Sequence, residues 1–144
     1  DGSWRDTYIL QTSLEDNLKW SDYVNTNYRI EWFNGLTQAD ESKVNFDVIK
    51  EFWNGNHDLC STAKVFIDNI QINNHFFVDT EIENDIDPGE INSIEDHDKV
   101  IKYMTDLSFL LDKHVILTPE NAPEIVLIKV SKNNIEFSEN INLK

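Results

Sequence analysis

The hydrophobic residues of this chain change period along its length, and the change limits the folds open to it. From Ser61 the period is two: Ala63, Val65 and Ile67 fall on one face, Asp68-Asn69 offers a turn, and Ile70, Ile72, Asn74 and Phe76 return. Alternation of this kind puts successive side chains on opposite faces of an extended strand, so the stretch predicts a β-hairpin. A further strand is predicted from Glu81 to Asp87, ended by Pro88-Gly89. Beyond Ser93 the period lengthens to that of a helix. Ile94, Val100, Ile101, Met104, Leu107, Leu110 and Leu111 keep its spacing as far as Lys113. Ser93 with Asp96 three residues on reads as a capping box, in which hydroxyl and carboxylate satisfy orphan N–H groups of the first turn.

The first half mixes the two periods. Trp4 to Leu10 is aromatic and β-branched enough for a strand. Thr12 or Ser13 can then cap a helix running to about Val24, with Leu14, Leu18, Trp20, Tyr23 and Val24 as its apolar face. The Asn25-Thr26-Asn27 cluster is predicted to stop it. Tyr28 to Phe33 alternates as a half-buried strand, so Trp32 and Phe33 must face opposite ways; Asn34-Gly35 behind it is a hairpin signal. Gln38 to Ser42 reads as loop. Phe46, Ile49, Phe52 and Trp53 return to helical spacing, with Gly55 placed as a left-handed cap.

Toward the C-terminus, Val115-Ile116-Leu117 reads as a short strand and Pro119 to Pro123 as a loop. Ile135-Glu136-Phe137 reads as a last strand after an Asn133-Asn134 turn. Ile125 to Val130 is the most continuously apolar run, which predicts a strand buried on both faces at the centre of a sheet. Strands and helices mixed in this way predict an α+β fold. Two to three helices should pack on a mostly antiparallel sheet, in a single domain over residues 1–144.

Composition bounds the function. At 144 residues, 40% hydrophobic and 11% aromatic, the chain has apolar surface enough for one packed core and too much for a disordered acidic tail. Cys60 is the lone cysteine, so no intramolecular disulfide can form, and a reducing, cytoplasmic setting is expected. The net charge is −15, from 12 Lys and Arg against 27 Asp and Glu. Nucleic acid and anionic membranes need cations to neutralise phosphate, so neither is an expected ligand. A basic protein is, because such a field speeds its encounter.

The acids are not evenly spread. Between Val65 and Asp98 there is no Lys or Arg, while Asp68, Asp79, Glu81, Glu83, Asp85, Asp87, Glu90, Glu95, Asp96 and Asp98 all fall there. Glu81, Glu83, Asp85 and Asp87 alternate with Ile82, Asn84 and Ile86. On a strand these four carboxylates share one face, about 6.8 Å apart at a rise of roughly 3.4 Å per residue, and the isoleucines point to the core. Ordinary exposed strand faces mix signs, because like charges repel. We therefore take Asp79, Glu81, Glu83, Asp85, Asp87 and Glu90 as the candidate partner-binding residues, able to pair with Lys and Arg of a basic surface.

Other chemistry finds little support. Asp85, Asp87 and Asp96 stand at the first, third and twelfth places of a calcium-loop pattern, but the glycine falls at the fifth place and a proline precedes it. An irregular divalent site stays an alternative. His57 and Cys60 lack a second ligand pair for zinc, and His75 reads as a hydrogen-bonded structural residue. No nucleophile elbow, phosphate-binding loop or dinucleotide fingerprint is present, so catalytic residues, metal ligands and cofactors are all expected to be none.

His75-Phe76-Phe77 with Glu81-Ile82-Glu83-x-Asp85-Ile86-Asp87-Pro88-x-Glu90, and Leu117 to Glu124, resemble segments of small bacterial proteins of uncharacterised function. That resemblance covers about the second half of the chain and implies no activity. By size, acidity and lack of catalytic groups the chain is also similar, as a class, to bacterial immunity proteins, which neutralise a toxin domain that is often a basic nuclease. The likeness implies a binding protein without catalysis whose partner is a basic toxin domain. The alternative is an accessory domain for a divalent cation or small ligand.

Overall fold

The computed structural model describes residues 4–59 and 62–138. Among the described residues the elements run β1 (Arg5–Leu10), α1 (Leu14–Asn27), β2 (Arg29–Asn34), β3 (Ala39–Glu41), α2 (Phe46–Trp53), β4 (Ala63–Ile67), β5 (Ile70–Asn74), β6 (Glu81–Ile86), α3 (Ile94–Leu111), β7 (Val115–Pro119), β8 (Ile128–Ser131) and β9 (Asn134–Phe137). Short 3-10 turns lie at His57–Leu59 and Pro88–Glu90. The nine strands form one sheet in the order β3-β2-β4-β5-β6-β1-β7-β8-β9, antiparallel throughout. This is the α+β architecture that the alternating periods predict, with three α-helices against one antiparallel sheet.

One face of the sheet makes the core. Ile9, Ile30, Trp32, Val65, Ile72, Ile82 and Ile86 pack there with Trp20 and Val24 of α1, Ile49 of α2, and Val100, Met104 and Leu107 of α3. A polar chain is sealed beneath the helices. Trp20 Nε1 donates to Tyr103 Oη at 2.9 Å, and Tyr103 in turn donates to Asn84 Oδ1 at 2.6 Å. Tying α1 and α3 to β6 in this way fixes which face of β6 looks at the helices.

Helix ends follow local chemistry. Ser13, not Thr12, caps α1, with Asp16 completing the box; the Thr12 hydroxyl instead donates to the Asp79 carbonyl at 2.7 Å. The Asn25-Thr26-Asn27 cluster does not stop α1, because each side chain finds a partner that leaves the helical backbone free. Thr26 and Asn27 donate back to the Asp22 and Tyr23 carbonyls, and Asn25 brackets the backbone of Val44. Leu14 and Leu18 are exposed, so the buried face of α1 is Asn17, Trp20, Ser21 and Val24, narrower than the apolar spacing predicts. Gly55 follows α2 at φ +110°, a conformation open to glycine and costly for side chains.

Three strand expectations change. The apolar run 125–130 is not a central strand: β8 begins at Ile128 and lies next to the edge strand β9, while Ile125 and Val126 are exposed in the preceding loop. The chain turns after Pro119, with the Ala122 N–H on the Pro119 carbonyl and the Ile125 N–H on the Ala122 carbonyl, and rejoins β7 only at Leu127, whose N–H bonds to the Leu117 carbonyl. Gln38 to Ser42 holds the short strand β3, paired to β2 through a turn in which Asn34 Oδ1 accepts from the Leu36 and Thr37 N–H groups. And β5 ends at Asn74, whose side chain accepts from the Phe76 N–H while Phe76 turns to φ 53°.

Candidate functional site

β6 is the fifth of nine strands, hydrogen-bonded to β5 on one side and β1 on the other. Ile82, Asn84 and Ile86 are buried toward the helices, so Glu81, Glu83 and Asp85 point to the opposite face, each partly exposed. The predicted separation of isoleucines from carboxylates thus holds over Glu81–Ile86. Asp87 leaves the strand. Its carboxylate caps the 3-10 turn by accepting from the Gly89 N–H at 2.9 Å. Glu90 lies beyond that turn and accepts weakly from the Gln71 N–H at 3.4 Å, and Asp79 is exposed ahead of β6. Three of the six candidate residues are therefore gathered on one face and three lie around its ends.

The register adds residues from β1. Asp6 sits opposite Asp85, Tyr8 opposite Glu83 and Leu10 opposite Glu81. Like charges directly across a ladder repel, and here the fold answers by hydrogen bonding. Asp85 takes the Asn73 amide on Oδ1 and His75 Nε2 on Oδ2, both at 2.7 Å, and His75 Nδ1 lies 2.8 Å from the Thr62 hydroxyl. The bond to Asp85 raises the His75 pKa above its ordinary 6.5 against the opposing effect of burial, with Glu83 and Asp6 adding to the rise. Asp6 is only 2% exposed, with its Oδ2 taking the Asn121 N–H at 2.6 Å and the Tyr8 hydroxyl at 3.3 Å. Burial still lifts its pKa.

Glu83 is the unbalanced member. Among the described residues its carboxyl has neither a hydrogen-bond donor nor a Lys or Arg partner. Burial, then the charges of Asp6 and Asp85, push its pKa from 4.5 to about 7, with only His75 pulling the other way before Glu81 adds its share. Beside it, burial and the neighbouring carboxylates push the Tyr8 hydroxyl upward, so it stays protonated. The arrangement is a half-buried anionic patch, preorganised by hydrogen bonds, with one carboxyl that titrates near neutrality.

No protein-family model, curated protein or solved structure matches this chain.

The fold also places other residues singled out in the sequence. Among the described residues no three His, Cys, Asp or Glu side chains converge as metal ligands, and Asp85, Asp87 and Asp96 of the calcium-like spacing serve separate hydrogen bonds. Cys60 lies outside the described residues. No helix among them is long and apolar enough to cross a membrane. His75 is hydrogen-bonded, as expected, but within the acidic patch. Sequence reasoning missed Asp6. The one available signal was an acid inside an aromatic strand, where alternation puts Asp6 and Tyr8 together on the face away from Thr7 and Ile9.

Proposed function

We propose that the protein binds a basic protein partner through the sheet face centred on Glu83, and acts as a neutralising inhibitor of the immunity type. The observation that carries this reading is Glu83 itself, a carboxyl held near three others with no Lys or Arg beside it among the described residues and only His75, already bonded to Asp85, acting against them. Such a group repels its neighbours until an ammonium or guanidinium arrives, and an arriving cation favours its ionised form. A row of side chains is the means of recognition here. β6 lies inside the sheet, paired with β1 along its whole length and with β5 at Asp85 and Ile86, so it does not offer a free edge along its length for strand addition.

Acid–base catalysis by Glu83 is the weaker reading. Three depressions of 530, 770 and 720 Å³ lie on the surface, and Glu83, Asp85 and His75 line none of these, although Tyr8 beside them reaches the second.

The test is association kinetics with the product of the neighbouring gene, co-expressed and captured at low salt. Charge reversal at Glu81 and Glu83 should slow association about tenfold and flatten its salt dependence, with dissociation changing less. Association should also quicken as pH rises through 7, where Glu83 ionises. Kinetics that ignore both the substitutions and the pH would overturn the assignment.

A further inference from the structure

Beside the acidic patch, the charge of the surface reverses inside a cavity. A space of about 770 Å³ opens between the C-terminal end of α3, the end of β1 at Tyr8 and Leu10, the strands β7 and β8, and the loop joining β7 to β8. That volume lies within the span of small-molecule sites, roughly 300–1,000 Å³. Ile116, Pro123 and Val126 give it apolar walls, and Val126 is 37% exposed. Lys113, Lys129 and Lys132 also line it, in a chain with only 12 Lys and Arg. Its one carboxylate, Asp112, is taken up by Lys132 at 2.7 Å.

Lys113 and Lys129 have no ion-pair partner among the described residues. Glu136 faces Lys129 across the β8–β9 ladder without closing to an ion pair. At the end of α3 the Ser108 carbonyl is occupied, accepting from the Asp112 and Lys113 N–H groups. The His114 ring is held at the rim by Ser131 Oγ, 2.6 Å from Nδ1. Two unneutralised ammonium groups above hydrocarbon walls ask for a ligand with one acid group and an apolar body.

We propose that this cavity binds a small amphipathic carboxylate, its headgroup on Lys113 and Lys129 and its hydrocarbon against Ile116, Pro123 and Val126. The site adjoins the partner-binding face, since Tyr8 and Leu10, which stand opposite Glu83 and Glu81, also line the cavity. It uses the opposite charge, and its ligand would be attracted here despite the overall negative field, because local pairing acts within a Debye length of about 8 Å at physiological salt.

Calorimetric titration with decanoate, below its micelle concentration, tests this against decanol, which has the chain without the charge. Decanoate should saturate one site, bind about tenfold tighter than decanol, and lose about that factor in the double variant Lys113→Gln, Lys129→Gln. Val126→Asp, which sets a like charge in the apolar wall, should abolish decanoate binding; circular dichroism checks that each variant folds. Absence of saturation, equal affinity for decanol, or unchanged decanoate affinity in a folded lysine variant would each overturn the proposal. Should the lysine variant fail to fold, the decanol comparison and Val126→Asp decide alone.

Discussion

Glu83→Gln replaces a carboxyl whose proton the fold holds up to about pH 7 by a neutral group of the same size. The unfolded chain releases that proton near 4.5. Between those two values the folded protein binds more protons than the unfolded one, so the wild type loses stability as pH rises across that window. The penalty is absent below pH 4.5 and in full force above pH 7. Its ceiling is about 3 kcal/mol, taking about 1.4 kcal/mol per pH unit. Glu83 is partly open to water, which screens it, and about 2 kcal/mol is the amount to expect. The variant should therefore melt about 6 °C above wild type at pH 8, and together with it at pH 4, for a chain of this size.

His75 complicates the wild-type curve, since its own contribution also fades as pH rises through its elevated value. The difference between variant and wild type largely removes that effect. A small remnant has the opposite sign, because losing the Glu83 charge lets the His75 pKa relax downward. Thermal melts followed by circular dichroism at pH 4, 6 and 8 decide the matter. A gain equal at all three values would mean amide packing, not charge, and a loss at pH 8 would mean that the ionised carboxyl has a stabilising partner. Either result refutes the reasoning from an unrelieved anion.

Two further substitutions probe the frame around the site. Tyr103→Phe removes the hydroxyl between Trp20 and Asn84 and leaves both buried partners short of a bond, which should cost about 2–3 kcal/mol in urea unfolding with an unchanged slope; a loss under about 0.5 kcal/mol would show that these groups are satisfied another way. His75→Ala should destabilise by about 1 kcal/mol more at pH 5.5 than at pH 9. The reason is that a histidine with a raised pKa stabilises fully below its unfolded value of 6.5 and ceases to as pH climbs through the folded one. Equal losses at the two pH values would remove the charge from the His75–Asp85 contact.

The local features were legible where one short segment determines them. The capping box at Ser13, the Asp68-Asn69 hairpin, α2 with Gly55, and the two faces of β6 each follow from residues within a few positions of one another. The misjudged features depend on distant partners. Asn25 stays helical because Val44 meets it. Ile125 and Val126 look like strand core because local hydrophobicity cannot say whether a ladder partner is waiting. Strand order is the largest gap. β1 inserts between β6 and β7, so the first strand of the chain completes a site whose other parts lie some eighty residues away. Asp6 and Asp85 could not be placed opposite each other from either segment alone.

That placement gives the acidic face its meaning. A sheet centre is where folding gains most from neutral residues, since β6 is paired on both sides and Asp6 beside it is almost fully buried. Here the sequence puts four carboxylates, Asp6, Glu81, Glu83 and Asp85, against one histidine. Hydrogen bonds from Asn73, His75, Tyr8 and Asn121 secure Asp85 and Asp6, which leaves the misfit concentrated on Glu83. A carboxyl whose pKa is raised to about 7 by burial and like charges, while its neighbours are hydrogen-bonded, is what a group kept for an interaction the isolated chain does not make is expected to look like. Glu83→Gln separates the alternatives: greater stability with weaker partner binding fits a functional anion, and greater stability with unchanged binding leaves Glu83 without one.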